Sequence, residues 1–193
     1  MMQRICSDRG VTISYERHGE GLPPLVLIHG AFSDHRSNWE FVLPYWAEQF
    51  TVSAIARRGR GETDATVGHT MEDEIADAVE VLQSCANEPV ILVGHSYGAH
   101  VALGAAAVVP ERVRRLVLYE PPVPEGICSG ATTQTMERYA QSGEWDAFSF
   151  WFFCDVLKVS AADLKAMQET ELWAPMLADA PASLHDLRSL SRY

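Results

Sequence analysis

Short apolar runs alternate with helical segments between residues 23 and 120, and this alternation constrains the fold more than any other feature of the chain. PPLVLIHG and PVILVG are continuous apolar runs, which are typical of strands buried on both faces. Regular alternation of strand and helix predicts an α/β fold, with a mostly parallel sheet and helices on both of its faces. The other predicted elements are, in chain order, the strand FTVSAIA, the helices MEDEIADAVEVLQSCA and AHVALGAAAVV, and the strand RVRRLVLYE.

Two shorter strands and a helical region flank this alternating part. QRICS and VTISYERHG are predicted to form a hairpin, because the residues DRG between them suit a tight turn. After the last strand, no further buried strand is predicted. We therefore expect an α/β core at residues 1–124 and a helical region at 125–193. The predicted helices of that region lie at about 131–141, 144–157, 160–171 and from about 181 onward.

The chain carries a large negative charge. Its 193 residues suffice for one domain with a real core, and its formal net charge is −11. Nucleic acids and anionic membranes bind clustered Lys and Arg, so we expect neither as a partner. The short basic cluster of Arg57, Arg58 and Arg60 is predicted to be a solvated loop. The N-terminal residues lack the apolar segment of a signal peptide, and no apolar run approaches the length of a membrane span.

Neither the cysteines nor the sequence motifs predict a bound metal or cofactor. Cys6, Cys85, Cys128 and Cys154 are far apart and form no CxxC pair. This spacing predicts neither a zinc site nor a disulfide framework, so we expect reduced thiols and a cytoplasmic location. The sequence also lacks a GxGxxG motif, a phosphate-binding GK[ST] loop and a cluster of metal ligands. We therefore expect no cofactor and no metal.

The segment VILVGHSYGAH places Ser96 between Gly94 and Gly98, directly after a buried strand and before a helix. The G-x-S-x-G spacing suits a sharp strand-to-helix turn, in which small residues let strand and helix pack closely around the serine. Two interpretations follow: Ser96 is a nucleophile, or it merely caps the helix that follows. The strand, turn and helix context favours the nucleophile.

The first of the buried strands ends in His29 and Gly30, and the loop after it lies at the sheet edge where parallel sheets bind ligands. An HG turn at this place can direct backbone N–H groups at a substrate oxygen. Ala31 or Phe32 would supply one donor of an oxyanion hole, and Tyr97 would supply the other. His29 could itself act as a base, but we favour a role in holding the loop by hydrogen bonding.

Segments in both halves of the chain resemble the α/β-hydrolase fold superfamily, and the resemblance is closest to its small haloperoxidase-like and esterase-like members. It covers about residues 10–124, and the tail resembles the helical cap domains of that superfamily. The resemblance implies a serine nucleophile, an Asp or Glu after the sixth or seventh strand, and a His after the eighth. The segments that carry it are LVLIHGAFSDHRSNWEFVLP, RRGRGETD, VGHSYGAHVAL, GEWDAFSFWFFCDVLKVSAADLKAM and SLHDLRSLSRY.

The acid and base of such a triad are less well defined than the serine. Glu120 ends the sixth strand, where some members of the superfamily carry the acid, and the alternative is a hinge residue at the entry to the cap. His95 adjoins the serine in a strand, so its side chain is predicted to point to the opposite face. His185 follows the required chain order but lies in a helical pattern, and His35 and His69 are predicted to be solvated. We expect the catalytic histidine to be absent from this chain, because the later strands of the family have no counterpart in it.

The segment WDAFSFWFF at residues 145–153 suggests a small, largely apolar ester as substrate, since its aromatic side chains would line a cap. The alternative is that these rings pack the cap on the sheet domain. The family resemblance implies a serine hydrolase, and we expect the enzymatic activity of this chain alone to be weak or absent. Alternatives are the same fold with perhydrolase, lyase or C–C hydrolase chemistry, or a non-catalytic binding module. We also expect self-association through the exposed edge of the sixth strand.

Overall fold

The computed structural model describes residues 1–65, 68–123, 127 and 130–192, in two compact units, Met1–Pro121 and Pro122–Tyr193. The first unit contains six strands: β1 (Met2–Cys6), β2 (Thr12–His18), β3 (Leu25–Ile28), β4 (Val52–Ala56), β5 (Val90–His95) and β6 (Val113–Tyr119). They form one sheet with the order β1-β2-β4-β3-β5-β6. The helices of this unit are α1 (Leu43–Ala47), α2 (Met71–Ser84) and α3 (Tyr97–Val108), with a 3₁₀ turn at Pro110–Arg112.

The sheet is parallel in its centre and antiparallel at one side. β3 pairs in parallel with both β4 and β5, and β5 pairs in parallel with β6. β1 pairs with β2, and β2 with β4, in antiparallel orientation, so the predicted hairpin is present. The predicted α/β fold with a mostly parallel sheet is confirmed, and all six strands lie where the sequence predicts them.

The core forms on β3, which the sequence predicts to be buried on both faces, and on β4. Every residue of β3 and β4 is buried, and Leu27 and Ile28 are 0% exposed. Parallel pairing brings the carboxyl ends of β3, β5 and β6 to the same edge of the sheet, with Ile28 opposite Gly94 and His95 opposite Tyr119. The loops that follow these three strands carry the residues of the candidate site.

Helix α2 begins with a capping box, in which the Thr70 hydroxyl accepts from the Asp73 amide and the Asp73 carboxylate accepts from the Thr70 amide. Glu72, Asp73 and Glu74 lie in its first turn, where they interact favourably with the helix dipole. The buried face of α2 includes Glu74 and Asp77 as well as apolar residues. A buried carboxylate needs a charged or hydrogen-bonding partner, and both of these acids pair with arginine.

The prediction for the basic cluster after β4 is wrong. The sequence predicts a solvated loop, whereas Arg57, Arg58 and Arg60 are 3%, 3% and 4% exposed. Arg57 pairs with Glu74 at 2.7 Å, and Arg58 pairs with Asp77 at 2.6 Å. The loop is buried because α2 presents two carboxylates to it, and the linear sequence did not show that these acids face the loop.

The predictions for two loop histidines are also wrong. His35 and His69 are predicted to be solvated, but His35 is 2% exposed and the His69 side chain is 9% exposed. The His35 ring lies 3.9 Å from the Glu16 carboxylate on β2, and the His69 ring lies 3.2 Å from the Glu74 carboxylate on α2. Both loops fold back onto regular elements, where a buried or partly buried acid faces the imidazole.

Residues 37–49 carry apolar side chains at helical spacing, which predicts a helix, but the helix in the structure is shorter. The helical part of this segment is α1, and the preceding residues form turns in which the Leu43 N–H donates to the Trp39 carbonyl at 2.8 Å. Pro44 lies in the first turn of α1, where its missing N–H is tolerated. Proline cannot donate the hydrogen bond that would continue a longer helix through this position.

The second unit is helical in its described residues. All four helical regions that the sequence predicts are present, and Trp173–Ala178 is an additional helix whose six residues and internal Pro175 give a weak periodic signal. Residue 124, the predicted boundary between the domains, and Cys128 lie outside the described residues. The helices are α4 (Gly130–Ser142), α5 (Trp145–Trp151), α6 (Ala161–Gln168), α7 (Trp173–Ala178) and α8 (Ala180–Leu190), with a π-helical turn at Phe152–Val156 after α5.

The aromatic segment of the second unit packs within that unit. Phe148, Phe152 and Phe153 are 0%, 5% and 8% exposed. The ring of Phe148 contacts those of Trp151 and Phe152, with centroid distances of 6.2 Å and 6.5 Å. Phe153 contacts Trp173 at 6.5 Å. These contacts make the three phenylalanines core residues of the second unit, and their burial needs no bound substrate to explain it.

Strand β6 forms one edge of the described sheet, as the sequence predicts. Val117, Leu118 and Tyr119 are 46%, 36% and 56% exposed. An edge strand presents backbone N–H and C=O groups that another chain can pair with. The exposed, apolar character expected of the sixth strand is therefore present.

Candidate active site

Ser96 lies at the turn between β5 and α3, with φ 51° and ψ −124°. A residue other than glycine with positive φ is strained, and such strain is concentrated at functional sites. Ser96 occupies the N-cap position of α3, but its side chain makes no capping hydrogen bond to the residues of that helix, all of which are described. This geometry argues against the interpretation that the serine serves to cap the helix.

Close backbone packing around the turn requires glycine at position 98. A Cβ on Gly98 would lie 2.4 Å from the carbonyl oxygen of His29 and 2.5 Å from that of Ile28. Both obstacles are backbone atoms of the neighbouring strand and its loop, which cannot rotate aside as a side chain can. Helix α3 therefore begins in direct contact with the end of β3 because residue 98 has no side chain.

Gly30 marks the point where the loop after β3 meets the serine turn. A Cβ on Gly30 would lie 3.0 Å from Cβ of Ser96. The loop continues with Ala31 and with Phe32, which has φ 53° and is 3% exposed. The two residues predicted to offer an oxyanion donor therefore follow directly on the residue that touches the serine turn.

Tyr97 is the first residue of α3 and is 2% exposed. It was predicted to supply the second backbone donor, next to the nucleophile in the chain. The first turn of a helix leaves its backbone N–H groups without intrahelical partners, and the helix dipole adds partial positive charge there. An N–H group at this position is chemically suited to an oxyanion.

Three strained residues follow three neighbouring strands. Phe32, Ser96 and Glu120 have φ angles of 53°, 51° and 49°, and they lie beyond the carboxyl ends of β3, β5 and β6. Glu120 follows Tyr119, whose carbonyl accepts a hydrogen bond from the Ser96 N–H at 2.9 Å. The backbone of the predicted nucleophile is thus hydrogen-bonded to the residue that precedes the predicted acid.

His95 directly precedes the serine, and its ring is held by Asn38. Nδ1 of His95 donates to the Asn38 side-chain oxygen at 2.8 Å, since an amide oxygen only accepts. The ring lies near those of Trp39 and Tyr119, with centroid distances of 6.3 Å and 5.1 Å. Burial lowers the pKa of His95, and the charge of Glu120 opposes this shift. The ring is therefore neutral near pH 7 and has a structural partner.

An apolar groove of about 520 Å³ lies beside His95 in the first unit. Its polar groups include Asn38 and His95, which are hydrogen-bonded to each other. Grooves of this size and character are typical of sites for small, mostly apolar molecules. Its apolar lining includes Trp39, Trp46, Phe50, Ile91, Val93 and Val117.

His29 is fully buried, and both of its ring nitrogens are hydrogen-bonded. Nε2 accepts from the Arg57 amide at 3.1 Å, so Nδ1 carries the proton and donates to the Gly30 carbonyl at 2.8 Å. Burial holds the pKa of His29 well below its usual range, and the Arg57 and Arg60 cations add to this effect. This arrangement suits the loop-holding role that we favoured and leaves the ring no free nitrogen with which to act as a base.

The remaining histidines lie in separate parts of the chain. His18 and His35 lie beside the Glu16 carboxylate, at 3.6 Å and 3.9 Å. His100 lies in α3, and His185 lies in α8 of the second unit. The structure shows no hydrogen bond between Ser96 and the side chain of any of the seven histidines, all of which are described. No histidine is therefore identified as the base of a triad.

Sequence reasoning missed three polar residues around the site. Asn38 joins the loop after β3 to His95, whereas Arg57 and Glu74 form a buried ion pair next to that loop. A signal for the acids was present, because residues 71, 74, 77, 78, 81 and 82 all lie on the buried face of α2. Helical spacing of two acids among apolar residues indicates a buried partner. For Asn38 no comparable signal exists in the sequence.

The described residues contain neither a metal-binding cluster of acidic, His or Cys side chains nor a membrane-spanning helix. Among residues 1–65, 68–123, 127 and 130–192, no group of three or more His, Cys, Asp or Glu side chains is arranged to hold a metal ion. None of the helices in that part of the chain is long and apolar enough to cross a lipid bilayer.

Comparison with known proteins places this geometry in a family. A family model described as the alpha/beta hydrolase family matches residues 25–193. The chain belongs to the alpha/beta hydrolase family. The match covers both the strands that carry the candidate site and the helical second unit.

Individual relatives support the assignment. The chain is similar to epoxide hydrolase 4 of Homo sapiens, with 31% identity over 121 residues, which cover 61% of this chain and 33% of that protein. It is similar to 2-hydroxymuconate semialdehyde hydrolase of Pseudomonas sp. (strain CF600), with 36% identity over 113 residues, which cover 56% of this chain and 40% of that protein.

The fold also matches solved structures over nearly its whole length. An alpha/beta hydrolase from Sphaerobacter thermophilus has a TM-score of 0.83 and 29% identity, with 97% of this chain and 73% of that chain covered. The chain spans only a third to two fifths of the length of the two curated relatives named above. Similarity therefore establishes the family and the fold, and the relatives' reactions belong to those proteins.

Proposed function

We propose that the protein is a serine hydrolase, with Ser96 as nucleophile, that acts on a small, mainly apolar ester or related acyl substrate. The observation that carries the proposal is the Ser96 turn, which has φ 51° and no side-chain capping bond to α3. A hydroxyl that is held at a strained turn without a structural partner is available for attack on a carbonyl carbon. Membership of the alpha/beta hydrolase family supports this reaction class.

The proposed reaction follows from the placement of the groups. Ser96 Oγ attacks the acyl carbon and loses its proton to a base, and the carbonyl oxygen becomes an oxyanion. The N–H groups of Tyr97 and of Ala31 or Phe32 stabilise that oxyanion. As the intermediate collapses, the leaving oxygen takes the proton from the base and departs as the alcohol, which leaves an acyl-serine. Water then attacks the acyl carbon, releases the carboxylic acid and returns the proton to Ser96.

Glu120 is the proposed acid that orients the base. It follows β6 beside the serine turn, and its charge acts on the neighbouring His95. Two histidines near the site, His29 and His95, have structural hydrogen bonds and lowered pKa values, so neither is suited to remove the serine proton. We therefore propose that this chain alone reacts slowly, because loss of the base from a triad removes several orders of magnitude in rate.

The apolar groove beside His95 supports a small, mostly apolar substrate, since most of its lining is apolar and the side chains of Asn38 and His95 are hydrogen-bonded to each other. The described cysteines Cys6, Cys85 and Cys154 are free thiols, which is consistent with the cytoplasmic location that we propose. A different chemistry on the same fold, such as C–C hydrolysis, is the second candidate. Similarity to 2-hydroxymuconate semialdehyde hydrolase is the observation that favours this second candidate over ester hydrolysis.

Labelling with a fluorophosphonate, read by mass spectrometry of the digested protein, tests the nucleophile. We expect slow phosphonylation at Ser96, complete loss in Ser96→Ala, and no change in the exposed control Ser84→Ala. Labelling that persists in Ser96→Ala, or no labelling of the wild type with excess reagent over a day, would overturn the proposal. Hydrolysis of p-nitrophenyl acetate, butyrate and octanoate then tests the substrate class, with the two shorter chains expected to react faster.

A further inference from the structure

The side chain of Arg57 joins the loop after β3 to the first residue of α3. Its Nε donates to the His29 carbonyl at 2.9 Å, and a terminal nitrogen donates to the Gly30 carbonyl at 3.0 Å. The guanidinium carbon lies 4.5 Å from the centroid of the Tyr97 ring. A planar guanidinium with several donors in a fixed geometry holds all its partners in one arrangement.

The contact with the Gly30 carbonyl has a direct consequence for the oxyanion hole. A peptide group is planar, so the orientation of the Gly30 C=O fixes the orientation of the Ala31 N–H on the other side of the same peptide. Arg57 and His29 Nδ1 donate to this carbonyl, at 3.0 Å and 2.8 Å. This arrangement favours Ala31 over Phe32 as the predicted donor from this loop.

Glu74 completes the connection from the side of α2. One carboxylate oxygen pairs with Arg57 at 2.7 Å, and the other accepts from the Tyr97 hydroxyl at 3.3 Å and lies 3.2 Å from Nε2 of His69. Glu74 and Arg57 are each 3% exposed. Removing one partner of a buried ion pair leaves an uncompensated charge, so the remaining partner must move or become hydrated.

We propose that the buried ion pair of Arg57 and Glu74 positions both parts of the oxyanion hole. Arg57 fixes the orientation of the peptide group that carries the Ala31 N–H. Glu74 and Arg57 together hold the Tyr97 side chain, and this holds the first turn of α3 in place. Neither residue touches the substrate, and both act through backbone donors. The inference rests on the proposed function, because an oxyanion hole has meaning only if Ser96 attacks an acyl or phosphonyl centre.

The neighbouring acid on α2 provides a matched control. Asp77 lies one turn beyond Glu74, is 5% exposed and pairs with Arg58 at 2.6 Å. It also pairs with Arg9 in the turn between β1 and β2. Asp77→Asn and Glu74→Gln therefore each remove one buried negative charge from the same helix face. Of the two acids, Glu74 is the one that contacts Tyr97 and Arg57, whose side chain donates to the loop after β3.

The experiment compares wild type, Glu74→Gln, Asp77→Asn and Ser96→Ala in two measurements. The first is the saturation kinetics of fluorophosphonate labelling. We expect Glu74→Gln to lower the limiting rate of labelling about tenfold, with half-saturation changed by less than about twofold, since residues that orient a reacting group typically cost 10- to 100-fold. Asp77→Asn should remain within about twofold of wild type in both parameters, because its contacts lie away from the donors.

The second measurement is amide hydrogen exchange of Ala31 and Tyr97 by NMR, under conditions where each variant is folded. We expect faster exchange at both amides in Glu74→Gln and wild-type rates in Asp77→Asn. Equal effects of the two substitutions in either measurement would overturn the positioning role. Exchange does not depend on the reactivity of Ser96, so it decides the positioning proposal even if labelling shows that the proposed function is wrong.

Discussion

The side-chain oxygen of Asn38 lies 2.8 Å from Nδ1 of His95 and joins the loop after β3 to the strand that carries the serine. The same oxygen accepts from the Gly30 N–H at 3.2 Å and from the Ser33 hydroxyl at 2.8 Å. One acceptor thus serves three donors on two elements. The geometry of the loop after β3 depends on this amide as well as on the buried ion pair of Arg57 and Glu74.

Asn38→Ala should therefore destabilise the fold. Each donor left unsatisfied in a buried site costs about 1–3 kcal/mol, and partial access of water reduces the sum, so we expect a loss of about 2–3 kcal/mol in the free energy of unfolding. The control Asn87→Ala removes an exposed side chain and should change stability by less than about 0.5 kcal/mol. Urea unfolding measures both, and equal values for the two variants would contradict the role given to Asn38.

Replacement of Gly98 by alanine should be more costly than the same change at Gly104 in the same helix. The new Cβ at position 98 would meet backbone oxygens at 2.4 Å and 2.5 Å, whereas at position 104 it would meet the end of the Ile75 side chain at 2.3 Å. A side chain can change rotamer and a strand backbone cannot, so we expect losses of about 3 kcal/mol and about 1 kcal/mol. Denaturant unfolding of Gly98→Ala and Gly104→Ala tests this order, and the reverse order would contradict the proposed contact between α3 and β3.

Stability should fall as the pH decreases below about 6.5, the ordinary range of histidine. Burial lowers the pKa of His35, Arg36 and His18 add to the shift, and the charges of Asp34 and Glu16 oppose it. The unfolded chain then binds a proton that the folded chain does not, so the free energy of unfolding decreases with decreasing pH below the unfolded pKa.

His35→Leu should make this dependence shallower by up to about 1.4 kcal/mol per pH unit. Both ring nitrogens of His35 lack a hydrogen-bond partner among the described residues, so the substitution removes no hydrogen bond that the structure shows. Urea unfolding at several pH values between neutral and mildly acidic conditions measures the slope. Identical slopes for wild type and variant would contradict the assignment of His35 as a proton-linked group.

Self-association through the β6 edge is expected, because an exposed apolar strand can pair with another chain. Val117→Lys places a charge on this edge and should shift the protein towards monomer in light scattering. Val108 is 62% exposed at the end of α3, so Val108→Lys is a matched control that should leave the association unchanged. A monodisperse wild-type monomer at all concentrations would show that the edge does not associate.

Local patterns in the sequence were sufficient for the elements and for the serine turn. The continuous apolar runs predicted β3 and β5, and the glycines around Ser96 predicted a tight strand-to-helix turn, because these features depend on neighbouring residues in the chain. The position of this turn next to the loop after β3 could also be predicted, because parallel strands end at the same edge of a sheet.

Contacts between distant residues could not be predicted in the same way. Arg57 and Glu74 are buried because they face each other across two elements. The helical spacing of Glu74 indicates a buried acid, but no local pattern identifies Arg57 as its partner. The same applies to His35, whose burial depends on how its loop folds against β2. Charged residues in a loop are solvated by default, and only the three-dimensional structure shows when an opposite charge overrides that expectation.

The positive φ angles of the residues that follow β5 and β6 have a consequence for mutational drift. Glycine would relieve the backbone strain at Ser96 and Glu120, which is of order 1–3 kcal/mol at each position. A population selected only for folding would therefore accumulate glycine at these two positions, whereas the buried ring of Phe32 also contributes to the core. A library sorted first for folding and then for serine labelling would separate selection for stability from selection for the hydroxyl and the carboxylate.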